Sequence, residues 1–356
     1  MTLHIFNPEH DQAMAVNRNN VTPPQPVRQF RSGMEYLPAL WAADGDTVVV
    51  QDKPRAQAAV ERLSAELSAA GCRVPGRVEF ATSGELAGRT FVQVDVWGWD
   101  KAVIAAIGKS GIACNALPDA DRLETIRMLS HRNTAAGVLS GLAGDGLAGE
   151  AFFCRTEAEV ASLARRYRRT VIKAPWSCSG RGIRFAEGCI GEPLSGWIKN
   201  MLKSQGGVTV EPYYNKVTDF GMEFVSDGNG RVEYLGLSLF VTRHGAYTGN
   251  LLATEARKRE MLERHVPGSL LDSVRERLCD RLGRLYRGKY AGLLGVDMMV
   301  VERADVRSFA LHPCVEINLR RTMGHVALAL SPEDDGTAAT MEMETNNNYQ
   351  LNIKSL

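Results

Sequence analysis

The sequence predicts a small parallel α/β domain followed by a larger α+β region. Three observations lead to this fold class. Strand-like and helix-like segments alternate over residues 1–115. A loop rich in glycine and serine lies between two strand-like segments at residues 171–185, and two apolar strands at 292–301 and 309–319 carry isolated polar side chains. The 356 residues, 44% of them apolar, are enough for two or three domains with their own cores.

Composition excludes several classes of function. The 42 basic and 41 acidic side chains give no overall attraction to nucleic acid or to a membrane surface. The seven cysteines are odd in number and lack any CxxC spacing, which favours a reduced compartment over a disulfide or zinc framework. The first residues contain no apolar signal core, and no window approaches membrane-spanning length. We therefore expect a soluble, cytoplasmic protein that binds neither nucleic acid nor membrane.

The first domain is predicted over residues 1–115. Leu3 to Phe6 reads as its first strand, and the polar residues Glu9, His10 and Asp11 follow directly. Sheets of this kind bind ligands at the ends of their strands, so these three residues could face a substrate. A solvated turn that caps the next helix is the more ordinary interpretation. Later in the domain, residues 56–70 place apolar side chains on one helical face before Gly71.

One apparent motif does not fit its usual context. Residues 144–149 (GDGLAG) match GxGxxG, but they follow a helix predicted within 119–139 and precede a strand, the reverse of the dinucleotide-binding order. We interpret them as a connecting loop. Thr156 and Glu159 then form a predicted capping box, and the helix that it starts leads to the strand ending at Lys173.

The glycine-serine loop after Lys173 is a candidate phosphate-binding flap. Backbone N–H groups in such a loop can approach a polyphosphate while a cation offsets its charge. A β-hairpin turn that needs glycine only for its geometry is the alternative. The candidate flap residues are Ser177, Ser179, Gly180, Arg181 and Gly182.

A strand at 208–214 stops at Pro212. Glu211 and the backbone around Tyr213 could form a hinge offering a donor and an acceptor to an adenine edge, and Asp219 would suit a ribose hydroxyl pair. Taken singly, these are ordinary polar residues at strand ends. Residues 242–250 read as a polar loop that carries Arg243, and we expect that loop to line a substrate pocket with the first domain.

Two predicted strands near the C-terminus carry candidate metal ligands. Asp297 interrupts the first apolar strand, and Glu316 and Asn318 lie two residues apart on the second, so these two share a face. If the strands pair, Asp297 lies beside them. Carboxylate and amide oxygens suit Mg²⁺, and an unpaired carboxylate in an apolar strand is costly without a cation. Arg320 and Arg321 follow and could hold a phosphoryl group or an acyl-phosphate.

The order of these segments, from about residue 119 to 330, resembles the ATP-grasp superfamily. The resemblance implies a preceding α/β domain (1–115), an N-terminal lobe with the flap (116–210) and a C-terminal lobe with the metal site (211–335). It leaves residues 336–356 as a polar tail that could pack on the core, pair with a second copy in a homodimer, or be loosely held. It also implies that Lys173 and the flap contact ATP phosphates, that Glu211 to Tyr213 form the adenine hinge, and that Asp219 contacts the ribose. Members of the family often have an earlier lysine that contacts the nucleotide, and Arg132 lies near that position in this sequence.

The implied activity is carboxylate–amine ligation with ATP and two Mg²⁺ ions, or Mn²⁺, held by Asp297, Glu316 and Asn318. A small-molecule carboxylate would form an acyl-phosphate that a small-molecule amine captures. Arg243 and Arg321 would contact the acyl-phosphate or the acid. Two alternatives remain open: a kinase of the same fold that phosphorylates a small-molecule hydroxyl, and a nucleotide-binding protein without turnover.

Overall fold

The computed structural model describes residues 1–177, 182–243, 246–303, 308–345 and 349–356, without the side chains of Arg243 and Ala246. The strands are β1 (Thr2–Ile5), β2 (Thr47–Val49), β3 (Glu79–Ala81), β4 (Gln93–Val96), β5 (Phe152–Cys154), β6 (Arg169–Lys173), β7 (Ile183–Glu187), β8 (Val208–Pro212), β9 (Asn215–Asp227), β10 (Val232–Arg243), β11 (Ala246–Leu252), β12 (Ala291–Arg303), β13 (Ser308–Asn318), β14 (Ala339–Glu344) and β15 (Gln350–Ser355). The α-helices are α1 (His10–Val16), α2 (Gln25–Met34), α3 (Lys53–Ala69), α4 (Lys101–Ser110), α5 (Ala120–Leu129), α6 (Arg132–Ser140), α7 (Glu157–Tyr167), α8 (Glu192–Gln205), α9 (Glu255–Glu263), α10 (Gly268–Tyr286) and α11 (Met323–Leu330).

The N-terminal region is the predicted parallel α/β domain. Its four strands are ordered β3-β2-β1-β4, and every neighbouring pair is parallel. Helix α3 begins after Asp52, whose side chain accepts from the Arg55 amide, and buries Leu63 and Leu67. The alternation of strand and helix in the sequence therefore predicted this domain correctly.

The next sheet is antiparallel, in the order β5-β8-β6-β7. Helix α7 starts at the capping box that Thr156 and Glu159 were predicted to form. The helices α7 and α8 border this sheet, and Ile172 and Val210 lie in its apolar core. Because side chains alternate along a strand, the neighbouring Lys173 and Glu211 lie on the opposite face.

The largest sheet has seven antiparallel strands in the order β13-β12-β9-β10-β11-β14-β15. Helix α10 packs Val274, Leu278 and Leu282 into a core that also holds Phe220 and Phe224 of β9. The other face of β9 and β12 carries Asp219 and Asp297, again by alternation. The two strands with the candidate metal ligands pair along one edge of this sheet, as expected.

The prediction of a polar loop at residues 242–250 was wrong, because the described residues of this segment form strands. Strand β10 extends to Arg243, and β11 returns from Ala246. Strand β11 is hydrogen-bonded on both edges, because it lies between β10 and β14. Tertiary pairing of this kind overrides the weak strand preference of a polar segment. Residues 244 and 245 lie outside the described residues.

The C-terminal segment supplies two strands to the large sheet. Strand β14 pairs with β11, and β15 pairs with β14. Leu351 and Ile353 of β15 are buried in the same cluster as Leu63 and Leu67 of α3. The Arg62 guanidinium also donates to the Leu351 carbonyl at 2.6 Å. The segment predicted as a polar tail thus packs on the first domain.

Within the described ranges, no helix is both long and apolar enough to cross a bilayer. Six described cysteines carry free thiols: Cys72, Cys114, Cys154, Cys189, Cys279 and Cys314.

Candidate functional site

The predicted metal ligands meet on one face of the large sheet. Asp297 of β12 and Glu316 of β13 are direct cross-strand partners. Opposed residues of an antiparallel pair share a face with their Cβ atoms about 5 Å apart. The Asn318 amide nitrogen donates to Asp297 Oδ2 at 3.1 Å, which leaves the Asn318 carbonyl oxygen as a potential metal ligand. All three side chains are partly buried, and we call them the carboxylate group.

Electrostatics in the carboxylate group favour a positive ligand. Burial first, and then the nearby charges of Glu316 and Glu223, together raise the pKa of Asp297 to about 8. Glu223 was not singled out from the sequence. Burial raises its pKa to about 7, although it accepts hydrogen bonds from Thr322 Oγ1 at 2.8 Å and Ser238 Oγ at 2.9 Å. The sequence does show an acidic residue between two apolar ones at 222 and 224, and this pattern could have marked Glu223 as a buried carboxylate.

The oxygen atoms of the carboxylate group suit a hard divalent cation whose other ligands come from outside the protein. Two carboxylates and one amide oxygen are suitable ligands for Mg²⁺, which usually retains waters or phosphate oxygens in its remaining positions. The described residues contain no group of three or more His, Cys, Asp or Glu side chains that could hold a metal by themselves. A metal held by these three side chains would need water or anion oxygens to complete its coordination.

Arg132 joins this sheet to the flap lobe. It is the first residue of α6, its side chain is 7% exposed, and its Nη2 donates to Glu316 Oε1 at 2.7 Å. The same nitrogen lies 3.4 Å from the Ser177 carbonyl at the flap. Its Nε and Nη1 atoms are buried and have no hydrogen-bond partner among the described residues. Arg132 thus has donors to spare beside the carboxylate group.

Lys173 and Glu211 form a buried ion pair in the flap lobe, with Lys173 Nζ donating to Glu211 Oε2 at 2.6 Å. Thr209 is the cross-strand partner of Lys173, and its hydroxyl is buried without a partner in the described part of the chain. The Glu211 carboxylate is therefore engaged with Lys173 in the absence of a ligand.

The predicted hinge continues through Pro212 and Tyr213. Pro212 ends β8 opposite Thr170 of β6. The Tyr213 amide donates to the Arg169 carbonyl at 3.0 Å, and the Arg169 guanidinium lies 4.0 Å from the centre of the Tyr213 ring. The Tyr213 amide is therefore already engaged, and a base would need other groups of this segment.

Both described ends of the flap are held closely. The Ala174 amide donates to the Gly182 carbonyl at 2.8 Å. A Cβ atom on Gly182 would lie 2.2 Å from Ser177 Oγ, so only glycine fits there. The Ser177 hydroxyl is buried, again with no partner in the described ranges. Ser179, Gly180 and Arg181 lie outside the described residues.

The candidate ribose residue, Asp219, lies on the same sheet face and opposite Met299. It accepts from Thr242 Oγ1 at 2.7 Å and is paired with Lys216. A ribose contact would have to share or displace these partners. The side chain of Arg243, predicted to be catalytic, lies outside the described residues.

The two arginines after β13 diverge. Arg321 donates to Asp95 of the first domain at 2.8 Å, and its guanidinium lies 4.2 Å from the Trp41 ring centre. The structure therefore does not bring Arg321 to the carboxylate group. Arg320 is the arginine whose charge acts on Asp297. Residues two apart on a strand share a face, so the spacing of positions 316, 318 and 320 in the sequence already favoured Arg320 over Arg321.

The segment at residues 7–11 is buried, so its interpretation as a solvated turn was wrong. Arg320 Nη2 donates to Asp11 Oδ2 at 2.9 Å. Burial disfavours the charged form of Asp11, but the charges of Arg320, His10 and Arg132 and the hydrogen bond from Arg320 together lower its pKa. His10 is 1% exposed, and its Nδ1 lies 3.1 Å from Asp100 Oδ2. The first domain thus contacts the end of the metal-ligand strand.

Two surface cavities lie elsewhere. One of about 580 Å³ lies beside Val138 of α6 and Arg281 of α10, and one of about 470 Å³ lies over β10, β11 and β14. Neither is lined by Lys173 or by the carboxylate group.

The chain thus has three parts, namely a parallel α/β domain, a lobe with a four-stranded antiparallel sheet and a lobe with a seven-stranded antiparallel sheet, and it shares this fold with solved structures. Solved structures with this similarity span the whole chain. An N5-carboxyaminoimidazole synthetase from Staphylococcus aureus complexed with ADP is 9% identical, with a TM-score of 0.50, over 100% of this chain and 92% of that chain.

Two further similar structures have lower scores. A biotin carboxylase from Campylobacter jejuni is 13% identical, with a TM-score of 0.49, over 96% of this chain and 75% of that chain. A protein from Archaeoglobus fulgidus assigned to the ATP-grasp superfamily is 13% identical, with a TM-score of 0.47, over 100% of this chain and 99% of that chain. No protein-family model and no curated protein matches the sequence. At these identities the likeness establishes the fold and not the reaction.

Proposed function

We propose that the protein is an ATP-dependent carboxylate–amine ligase that forms an amide through an acyl-phosphate. One observation carries the proposal. Buried polar atoms of Arg132, Ser177 and Thr209 have no partner among the described residues, and they adjoin Lys173 on one side and Glu316 on the other. Burying a polar group without a partner costs about 1–3 kcal/mol. A polyphosphate with its cation would satisfy these groups together.

The residues divide into two sets around such a ligand. Lys173, Arg132 and the flap, including Ser179, Gly180 and Arg181, would contact the phosphates. The hinge from Glu211 to Tyr213 would receive the adenine, and Asp219 the ribose. Asp297, Glu316 and Asn318 would hold Mg²⁺ (two ions, with Mn²⁺ as the alternative), which would neutralise phosphate charge. The ADP bound in the similar S. aureus synthetase supports a nucleotide in this fold.

In the proposed reaction, a carboxylate oxygen of the acid attacks the γ-phosphorus, and the bond to the ADP oxygen breaks. An amine nitrogen then attacks the acyl carbon, inorganic phosphate leaves, and the nitrogen loses a proton. The protein contributes orientation and charge neutralisation rather than a covalent intermediate. Arg320 is the better candidate for holding the acyl-phosphate, because its charge acts on Asp297. Arg243 remains a predicted alternative, whereas Arg321 is engaged with Asp95.

The experiment is a screen of acid and amine pairs with ATP and Mg²⁺, with phosphate release and product mass as readouts. For any active pair, the acid is then supplied with ¹⁸O in its carboxylate. An acyl-phosphate intermediate transfers one ¹⁸O atom to the released phosphate. Lys173→Met should abolish turnover, whereas Lys199→Met, at an exposed lysine of the same lobe, should not.

Other outcomes would overturn the proposal. A phosphorylated acceptor with no free phosphate would indicate a kinase. Tight ATP binding without turnover for any pair would favour a non-catalytic nucleotide-binding protein. Failure to bind ATP with Mg²⁺ would reject the nucleotide site itself.

A further inference from the structure

His312 of β13 is a fully buried histidine whose ring has no hydrogen-bond partner among the described residues. Its exposure is 0%, and neither ring nitrogen has a partner in the part of the chain that the structure describes. Buried polar groups in proteins are nearly always hydrogen-bonded to protein or to ordered water, so an unpaired imidazole needs an explanation. The reaction proposed above makes no use of it.

His312 lies on the face of the sheet that carries the carboxylate group. It is the cross-strand partner of Met299, which follows Asp297 by two residues and is opposite Asp219 on the next strand. Opposed and alternate positions share a face. His312 therefore lies between the carboxylate group and the candidate hinge, on the side of the proposed nucleotide.

The hinge lies against the imidazole. The Tyr214 ring meets the His312 ring edge to face, with 5.5 Å between the ring centres. Tyr214 is the residue directly after the predicted adenine hinge. The charge of Lys173 is also close enough to act on the imidazole. Tyr214 therefore places the imidazole beside the predicted adenine hinge.

The loop at residues 144–149 holds the imidazole from the other side. The Ala148 amide donates to the Leu311 carbonyl at 2.9 Å, and the Leu311 amide donates to the Gly146 carbonyl at 2.9 Å. Gly149 has a φ of +124°, and a Cβ there would lie 2.7 Å from His312 Nε2. The glycine-rich stretch that resembled a dinucleotide motif therefore packs against His312, and its last glycine leaves room for the ring.

We infer that His312 hydrogen-bonds the nucleobase of the bound nucleotide, with the loop at residues 144–149 fixing the orientation of its ring. The inference rests on the proposed nucleotide site and adds a base contact to it. A neutral imidazole offers one donor and one acceptor, and adenine presents both kinds of group on its edge. Burial, and then the charge of Lys173, lowers the pKa of His312 to about 3, so the ring is neutral near pH 7.

The test compares two ligands that differ in the nucleoside. Affinities for ATP and for inorganic tripolyphosphate, each with Mg²⁺, are measured by calorimetry for the parent and for His312→Leu. We expect about a tenfold loss for ATP, the size of one lost buried hydrogen bond, and no change for tripolyphosphate. His312→Gln, which can still donate and accept, should restore part of the ATP affinity. His265→Leu, at a partly buried histidine packed on Phe309, should leave both affinities unchanged.

A second variant tests the loop. Gly149→Ala should displace the imidazole and reproduce the selective loss for ATP. The inference is overturned if the parent binds ATP and His312→Leu binds it equally well, or if the variant loses both ligands in equal measure, which is the signature of a purely structural role. If the parent binds neither ligand, the nucleotide site fails, and the base contact fails with it.

Discussion

Arg132 Nη2 lies 2.7 Å from Glu316 Oε1, so the first residue of α6 is tied to β13, the strand on which that helix packs. The contact spans 184 positions of the chain. It places a cation, in addition to Arg320, beside the carboxylate group. We expect a bound nucleotide to redistribute these contacts, with Arg132 turning its free donors toward phosphate.

The first prediction concerns Arg132. Arg132→Met should weaken ATP binding by roughly 10–100-fold, because hydrogen bonds to charged groups contribute about 1.5–3 kcal/mol each. Calorimetry with ATP in the presence of Mg²⁺ measures the effect. Arg165→Met, at an exposed arginine of α7, is the matched control and should bind normally. Equal affinities for the parent and Arg132→Met would remove Arg132 from the site.

The second prediction separates stability from binding at the Lys173–Glu211 pair. Lys173→Met leaves a buried carboxylate unpaired and should lower the free energy of unfolding by about 3–5 kcal/mol. Adding Glu211→Gln removes that unpaired charge, so the double variant should regain most of the stability while still failing to bind ATP. Urea unfolding and calorimetry on the same samples check both halves. Restored ATP binding in the double variant would show that Lys173 does not contact phosphate.

The third prediction is a pH dependence. Asp297 has a pKa raised to about 8, so without metal it is largely protonated at pH 7. Mg²⁺ requires the carboxylate form, and metal binding must therefore release this proton. The affinity for Mg²⁺ in the presence of ATP should rise as the pH increases from 6 through 8 and then level off. Titrations at several pH values measure it.

The control for this pH dependence is Asp297→Asn, which cannot ionise. Its affinity for Mg²⁺ should be low at every pH, with the slope near pH 8 lost. The matched control is Asp227→Asn. Asp227 is exposed at the end of β9, the strand next to β12, and this variant should keep the pH dependence of the parent. A parent profile that is flat between pH 6 and 8 would contradict the metal assignment of Asp297.

The fourth prediction uses two glycines in the middle of helices. A Cβ on Gly283 of α10 would lie 2.4 Å from the Gly230 carbonyl oxygen, so Gly283→Ala should destabilise the protein by about 1–3 kcal/mol through overpacking. Gly196 of α8 has nothing within 4 Å of the same position. Gly196→Ala should therefore stabilise the protein by about 0.5–1 kcal/mol, since alanine favours a helix. Thermal and urea unfolding should show opposite signs; the same sign for both would reject the packing of α10 on the β9–β10 turn.

Local sequence signals were sufficient wherever short-range physics decides the structure. The capping box at Thr156 and Glu159 set the start of α7. The spacing of Glu316 and Asn318 placed both on one face of β13. Such features depend on hydrogen bonds and side-chain directions within a few residues, so they can be read from a single segment.

The sequence by itself determined the order of the parts: a parallel α/β domain, a flap hairpin, and paired strands with the candidate ligands, which together resemble ATP-grasp proteins. Only the tertiary structure decided which long-range partners these residues take. Arg321 reaches Asp95, Arg320 reaches Asp11, and His312 meets the loop at residues 144–149, all across distant parts of the chain. Such contacts arise when separate elements pack together, and neither composition nor periodicity within one segment encodes which element will be the neighbour.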